Sequence, residues 1–177
     1  MSLKGKQMDE LEPLIDAYRL RASGSVASKL DILLDIDRVR DARVVPFLTT
    51  VLGDRQEAED VRVYVLKQLR NGGRLRAADR PRVAKAIGDL VAEESPAELR
   101  LQATLALGEF TEIHGVLSLL NDVCLAKHES VDLRYAAFTS LERAGPIPQS
   151  IALLRVMSND ETLGRSARTL LSAWHVE

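Results

Sequence analysis

The chain has 177 residues, enough for one domain with a substantial buried core. Its 24 Lys and Arg residues nearly balance 26 Asp and Glu residues, which excludes a strong overall field that would draw the protein onto nucleic acid or anionic lipid. The single cysteine, Cys124, excludes an internal disulfide framework and a cysteine-rich zinc site.

Neither a membrane span nor an export signal is predicted. No stretch approaches the roughly 20 apolar residues that a membrane-spanning helix needs, and residues 1–10 lack the apolar core of a signal peptide. Aromatic residues make up only 4% of the chain, which favours helices packed through aliphatic side chains over β-sheets. We therefore expect an all-helical, cytoplasmic protein, and a monomer.

Helices of two kinds alternate in the predicted chain order. The first helix of each pair has its own apolar period, over Leu11–Leu20, Val44–Leu52, Val83–Val91, Ile113–Leu125 and Ile151–Met157. Prolines fall where helices begin or pause, at Pro46, Pro81, Pro96, Pro146 and Pro148. The result is a single domain over residues 1–177, made of hairpins at about 9–37, 41–71, 79–110, 111–144 and 147–175.

The second helix of each pair carries a recurring motif, in which apolar residues stand four and eight places after a first one. Its five copies are Val26, Leu30 and Leu34; Val61, Val65 and Leu69; Leu99, Ala103 and Leu107; Leu133, Ala137 and Leu141; and Leu163, Ala167 and Leu171. This spacing places three side chains on one stripe of an α-helix. The copies open about 30 to 38 residues apart, the range of two-helix repeats.

A polar residue directly precedes each stripe. These residues are Ser25, Asp60, Glu98, Asp132 and Thr162. Four of the five are good N-caps, because their side-chain oxygen can accept a hydrogen bond from the free amides of the first turn, and the acidic ones suit the positive end of the helix dipole. The helices are therefore predicted to start where the stripes start.

These features resemble the HEAT repeats, in particular the short HEAT-like units first described in phycobilisome lyases. The resemblance lies in the run Val-Val-Pro-Phe-Leu-Thr-Thr-Val-Leu-Gly-Asp at 44–54, followed by Asp60-Val61-Arg62 and a Leu-rich helix, and it extends over about residues 11 to 175. It implies a right-handed α-solenoid of about five antiparallel hairpins.

In that family an acidic residue and an arginine of the second helix link successive hairpins. The resemblance gives this role to Asp60, Arg62, Glu98, Arg100, Asp132 and Arg134. The last copy departs from the family motif, because Gly164 stands where arginine is expected and Arg165 follows one place later.

The stripe also predicts which side chains face outward, two and six places after its first residue. This outward row contains Val63, Lys67, Leu101, Leu105, Tyr135, Thr139, Arg165 and Thr169. In a curved stack of hairpins it would form a concave surface that binds a partner. The alternative is that neighbouring helices bury a wide arc of each second helix and cover the same residues.

An arginine-rich link follows the second hairpin. It contains Arg70, Arg74, Arg76, Arg80 and Arg82, interrupted by Gly72 and Gly73. Arg70, Arg74 and Arg76 are candidate anion-binding residues, because guanidinium groups match phosphates and carboxylates. The alternative is a solvated loop, in which Asp79 caps the next helix and Glu57, Glu59 and Asp89 offset the charge.

Residues for catalysis are few. His114, His128 and His175 do not stand at metal-ligand spacing from one another or from Cys124, which is interpreted as a core thiol. His128-Glu129 is one His-Glu pair, whereas the HEAT-repeat hydroxylases bind iron through several. Trp174 is predicted to seal the end of the stack, with stacking on a ligand as the alternative. No catalytic residue, metal or cofactor is predicted.

The leading functional hypothesis is a non-enzymatic scaffold that binds another protein through the concave outward row or through the arginine-rich link. Two alternatives remain from the resemblance. One is nucleic-acid binding or repair, against which the balanced charge and the few aromatic residues weigh. The other is a chromophore or small-molecule lyase, for which the named row offers no acid and base pair.

Overall fold

The computed structural model describes residues 9–21, 24–70, 75–92 and 95–176. Every regular element within these ranges is helical, which confirms the all-α prediction. In chain order the helices are α1 (Leu11–Leu20), α2 (Val26–Arg38), α3 (Val44–Gly53), α4 (Glu59–Arg70), α5 (Arg80–Ala92), α6 (Ala97–Leu107), α7 (Val116–Leu125), α8 (Val131–Glu142), α9 (Pro148–Met157) and α10 (Gly164–Ala173), with a 3-10 turn at Gly108–Phe110.

The chain forms two compact units. The first spans Met1–Gln68 and contains α1 to α3 and most of α4, and the second spans Leu69–Glu177 and contains α5 to α10. The boundary falls inside α4. A single repeat domain over residues 1–177 stays a prediction from the sequence.

Within each unit the helices pack in hairpins. α1 packs against α2 in the first unit, and α5 against α6, α7 against α8 and α9 against α10 in the second. In the second unit α5 also contacts α7, α6 contacts α8, and α7 contacts α9. We call the odd-numbered helices A helices and the even-numbered helices B helices. In the second unit the A helices α5, α7 and α9 therefore pack one on the next, and among the B helices α6 packs on α8.

The apolar stripes of the last four B helices are buried as predicted. Their middle residues, Val65, Ala103, Ala137 and Ala167, each have 0% of their surface exposed. Small side chains bring α6 and α8 together closely: Ser140 Oγ donates to the carbonyl of Thr104 at 2.9 Å. The repeated spacing of four and eight thus identifies core positions in α4, α6, α8 and α10.

The stripe predicted for α2 is wrong by two residues. Leu34 is 45% exposed, and Val26 and Leu30 are only half buried. The buried side is formed by Lys29, Ile32, Leu33 and Ile36. The sequence of α2 holds two apolar stripes, and contacts distant in the chain select the one that directs Lys29 inward.

Only one of the predicted N-caps is confirmed. Ser25 has extended backbone and its Oγ accepts from the amide of Ser28 at 3.3 Å. The other three are wrong: Asp60 and Asp132 lie in the first turn of helices that begin at Glu59 and Val131, and Thr162 precedes the cap residue Leu163. Glu98, the fifth residue before a stripe, lies in the first turn of α6, which begins at Ala97.

In α8 and α10 the physical reason is that other groups already satisfy the first amides. Ser130 Oγ accepts from the amide of Leu133 at 3.2 Å and caps α8. The carboxylate of Asp160 accepts from the amides of Thr162 and Leu163, both at 2.9 Å, just before α10. An acidic residue inside the first turn still interacts favourably with the helix dipole, so Asp132 suits its position without capping.

Candidate functional site

Arginines in the first turn of three B helices tie each hairpin together. Each Nε donates to a backbone carbonyl one residue before the end of the preceding A helix: Arg62 to Leu52 at 2.9 Å, Arg100 to Val91 at 3.2 Å, and Arg134 to Cys124 at 2.7 Å. Carbonyls in the last turn of a helix have no partner within that helix. The arginines therefore satisfy groups that burial would otherwise leave unpaired.

Arg100, Arg134 and, at the equivalent position of α2, Lys29 each form an ion pair with an acidic residue in the segment before the next B helix. The ion pairs are Lys29 with Glu57, Arg100 with Glu129 and Arg134 with Asp160, each with a nitrogen-oxygen distance of 2.7 Å. Lys29 stands three residues before the buried Ile32, as Arg100 stands before Ala103 and Arg134 before Ala137. We call these three pairs the hairpin links.

The sequence identified the arginines of these links but missed Lys29 and all three acids. Asp60, Glu98 and Asp132, which the resemblance placed in this role, are exposed in the first turns of their helices. Glu98 Oε1 accepts from Gln102 Nε2 of the same helix at 3.0 Å. A recurring signal was available, because an acid stands three or four residues before the first stripe residue in Glu57, Glu129 and Asp160.

In the first unit the link is enlarged by a tyrosine. Lys29 Nζ lies 2.7 and 2.9 Å from the two oxygens of Glu57, and Tyr18 donates its hydroxyl to Glu57 Oε2 at 2.6 Å. Burial alone would raise the pKa of Glu57, but the hydrogen bonds from Lys29, Tyr18 and the amide of Ala58 outweigh it and hold the pKa below its usual value. Burial and the bond to Glu57 raise the pKa of Tyr18.

Arg134 forms the most connected link. Besides the carbonyl of Cys124, it donates from Nη1 to Thr162 Oγ1 at 3.1 Å. Its Nη2 forms an ion pair with Asp160, 2.7 Å from Oδ1. Burial would raise the pKa of Asp160, but the amides of Leu163 and Thr162 and the Arg134 guanidinium lower it. Burial raises the pKa of the Cys124 thiol to about 12.

The last hairpin replaces the arginine with a close backbone approach. Gly164 occupies the position that follows the first stripe residue, and a Cβ there would lie 2.7 Å from the carbonyl oxygen of Ser158 at the end of α9. Arg168, one turn further along α10, donates to that same carbonyl. Arg165 is exposed. The departure seen in the sequence therefore corresponds to a different way of satisfying the same kind of carbonyl.

The outward row is at least partly accessible at every position. Val63, Leu101 and Leu105 are half buried, whereas Lys67, Tyr135, Thr139, Arg165 and Thr169 are exposed. Tyr135 is 39% exposed, and its hydroxyl donates to the carbonyl of Thr162 at 3.3 Å. With the corrected stripe of α2, Leu30 and Leu34 occupy the equivalent positions of that helix.

The second unit brings part of the row together. Leu101 and Leu105 lie on α6, which packs against α8, the helix that carries Tyr135. Val63 and Lys67 belong to the first unit. The apolar residues of α6 and α8 therefore form the best-defined part of the row.

Two arginines of the arginine-rich link are occupied by internal contacts. Arg76 Nε donates to Asp79 Oδ2 at 2.8 Å, which lowers the pKa of Asp79. Arg80 Nε donates to Glu112 at 2.7 Å, and the Arg80 guanidinium stacks 4.8 Å from the Phe110 ring centre. Two of the five arginines are thus held by neighbours.

The remaining candidates of this link are less well placed to act together. Arg70 is half buried at the end of α4, and Arg82 is exposed in α5. Arg74, with Gly72 and Gly73, lies outside the described residues. Asp79 directly precedes α5, where the sequence placed a cap, and its carboxylate accepts from Arg76.

The residues considered for metal or ligand chemistry are dispersed. His114, His128 and His175 are all exposed, and across the described ranges no three His, Cys, Asp or Glu side chains cluster so that they could hold a metal. Trp174 is half buried directly after α10. Among the helices that the structure describes, none has the length and apolar character to cross a membrane.

The first unit contains a cavity that the sequence did not indicate. It has a volume of about 570 Å³ and lies along α1 and α3. The Tyr18 and Phe47 rings, 5.4 Å apart in an edge-to-face arrangement, line it together with Lys29 and Glu57. Because Lys29 and Glu57 bind each other, the charged groups on this wall are already satisfied.

Comparison with known proteins provides no relative from which a function could be transferred. No family model matches the chain, and no curated protein matches it. The resemblance to HEAT repeats therefore stays an expectation from the sequence.

Proposed function

We propose that this chain is a non-enzymatic binding module, a HEAT-like α-solenoid that holds a protein partner on the outward row of its B helices. The observation that carries the proposal is the recurrence of accessible apolar residues at equivalent positions of successive B helices. These are Leu30 and Leu34 in α2, Val63 in α4, Leu101 and Leu105 in α6, and Tyr135 in α8.

The exposed part of this row does not belong to the stripes that pack the hairpins. The stripes that pack the hairpins lie on another side of each B helix, where Ala103 and Ala137 are fully buried. Tyr135 and Leu34 keep 39% and 45% of their surface exposed. Apolar side chains that recur on an accessible face are typical of surfaces that bind a partner, and tyrosine is common where binding energy concentrates.

The solenoid part of the proposal is supported by the second unit. There the A helices of successive hairpins contact one another, and among the B helices α6 contacts α8. Arg100 and Arg134, the cations of two hairpin links, connect the end of one A helix to the chain segment before the next B helix. Repetition of one contact scheme is the property that defines a solenoid.

Protein is favoured over nucleic acid because the described arginines are mostly engaged. Arg76, Arg80, Arg100 and Arg134 each contact a carboxylate of the same chain. The first turns of α4, α6 and α8 present Glu59, Asp60, Glu98 and Asp132 to solvent. Phosphate groups would be repelled by these carboxylates at the first turn of each helix.

The test is affinity capture with matched variants, each first checked by thermal melting. Leu101→Asp places a charge on the outward row, and Val156→Asp places the same charge on the exposed outer side of the A helix α9, where Val156 is 58% exposed. We expect wild type and Val156→Asp to retain the same partner proteins and Leu101→Asp to lose them, with all melting temperatures within a few degrees.

Two results would contradict the proposal. Capture that survives Leu101→Asp and Tyr135→Ser would show that partners bind elsewhere on the molecule. A melting temperature that collapses in Leu101→Asp would show that Leu101 contributes to the core, and the row would then be packing surface.

A further inference from the structure

The accessible face of α6 and α8 carries an unbalanced negative charge. Each cation of these two helices is engaged: Arg100 pairs with Glu129, and Arg134 with Asp160. Arg143, which follows α8, pairs with Glu109. Glu98, Asp132 and Glu142 are exposed, and within the described residues no cation lies at ion-pair distance from them. Three carboxylates therefore remain without a compensating charge.

These carboxylates flank the apolar residues of the outward row. Asp132 stands three residues before Tyr135 and Glu142 seven residues after it, so all three lie on one side of α8. Glu98 stands in the same relation to Leu101 on α6. At about 1.5 Å of rise per residue, Asp132 and Glu142 are about 15 Å apart along the helix, with Tyr135 between them.

We infer that this face binds a basic amphipathic segment of a protein partner, in which apolar side chains are flanked on both sides by Lys or Arg. The inference rests on the proposed function and specifies its ligand. The apolar side chains would cover Leu101, Leu105 and Tyr135, and the flanking cations would approach Glu98, Asp132 and Glu142. A segment of acidic or neutral character would leave these carboxylates desolvated and unpaired.

The inference concerns α6 and α8 alone, because the charge of the row changes at α10. There Arg165 and Arg168 are exposed on the helix surface. A bound segment that continued past α8 would therefore meet positive charge. This places the cations of the segment over α6 and α8.

The probes are three synthetic helical peptides that share one apolar stripe of Leu and Trp and differ only at their polar positions, which are all Lys, all Gln or all Glu. Binding to the full chain is measured by fluorescence anisotropy at low and at physiological salt. We expect the Lys peptide to bind about tenfold more tightly than the Gln peptide, which corresponds to about 1.4 kcal/mol, and the Glu peptide more weakly than either.

Two double variants that change the net charge equally test whether the preference for the Lys peptide comes from this face or from the overall charge of the protein. Glu98→Gln with Asp132→Asn should remove most of the preference for the Lys peptide. Asp89→Asn with Asp122→Asn, which neutralises two exposed carboxylates of the A helices α5 and α7, should leave it unchanged. Leu101→Ser with Tyr135→Ser should weaken binding of the Lys peptide, whereas attraction by charge alone would be insensitive to it.

The outcomes separate this inference from the proposed function. Equal binding of all three peptides, lost in Leu101→Ser with Tyr135→Ser, would overturn the basic segment and leave protein binding by the row intact. A Lys preference that the A-helix variant removes equally well would also overturn the inference. Peptide binding insensitive to Leu101 and Tyr135, together with partner capture insensitive to Leu101→Asp, would overturn both.

Discussion

Lys29 Nζ lies 2.7 Å from Glu57 Oε1, although 28 residues separate the two along the chain. Both side chains are more than nine-tenths buried. The pair joins α2 of one hairpin to the link that precedes α4 of the next. Arg100 with Glu129 and Arg134 with Asp160 repeat the relationship in the second unit, at separations of 29 and 26 residues.

Removal of one partner of the buried pair should destabilise the protein strongly. Lys29→Met leaves the Glu57 carboxylate buried without its cation, and we expect the free energy of unfolding to fall by about 3 kcal/mol. The double variant Lys29→Met with Glu57→Gln should recover at least about 1 kcal/mol, because a neutral amide can still accept the bond from Tyr18. Urea unfolding followed by circular dichroism measures both values.

A matched control is available on α5. Lys85 pairs with Asp89 one turn away at 2.7 Å, but both side chains are mostly exposed. Lys85→Met should change the free energy of unfolding by no more than about 0.5 kcal/mol. Equal losses for Lys29→Met and Lys85→Met would contradict the role given to burial.

Acid should weaken the protein through the carboxylates of the hairpin links. The folded-state pKa of Glu57 lies below its reference value of 4.5, and that of Asp160 lies below 3.8. Below these reference values the unfolded chain therefore binds protons more readily than the folded chain, and the stabilisation is lost as pH falls toward the folded-state pKa values. Glu57→Gln should be less stable than wild type at neutral pH but lose less stability between neutral pH and pH 4.

The measurement is the free energy of unfolding in urea at a series of pH values. Asp31→Asn serves as the control, because Asp31 is exposed on α2 and makes no ion pair within the described residues. Its pH dependence should follow that of wild type. If Glu57→Gln loses as much unfolding free energy on acidification as wild type, Glu57 does not contribute to the acid sensitivity of the fold.

Added side-chain volume at Gly164 should cost stability, whereas the same change at Gly53 should not. The Cβ of Gly164→Ala would lie 2.7 Å from the backbone carbonyl of Ser158, a contact that only movement of α9 or α10 relieves. We expect a loss of about 1 to 3 kcal/mol. Gly53→Ala meets nothing within 4 Å at the end of α3 and should be neutral or slightly stabilising. Thermal melting of both variants provides the comparison. A melting temperature of Gly164→Ala equal to that of wild type would refute the close approach.

Cys124 should be inert in the folded protein. Its side chain is fully buried, and burial raises the pKa of the thiol to about 12, although the nearby Arg134 guanidinium acts in the opposite direction. At about pH 8 a thiol reagent should therefore react with Cys124 only as the protein opens. Reaction within seconds in native buffer, as fast as in denaturant, would be inconsistent with this burial.

The sequence alone predicted much of the helical framework because the signals are local. The spacing of four and eight that unites Leu99, Ala103 and Leu107 depends only on the geometry of one helix, and the structure buries all three. The arginine after the first stripe residue was indicated by the resemblance to HEAT repeats and not by the spacing. The outward positions of the half-buried Leu101 and the exposed Tyr135 followed from the same geometry.

Contacts between helices decided which side of α2 is buried and which acids pair with the basic residues. In α2 the stripe through Leu30 and the stripe through Ile32 fit one helix equally well, and the long-range partner Glu57 draws Lys29 inward and so selects the second. The acidic partners of the hairpin links were missed for the same reason, because a carboxylate in a turn gives no local sign of a cation nearly 30 residues away. Periodicity along a helix is written in consecutive residues, whereas the pairing of buried charges is settled only when distant segments pack together.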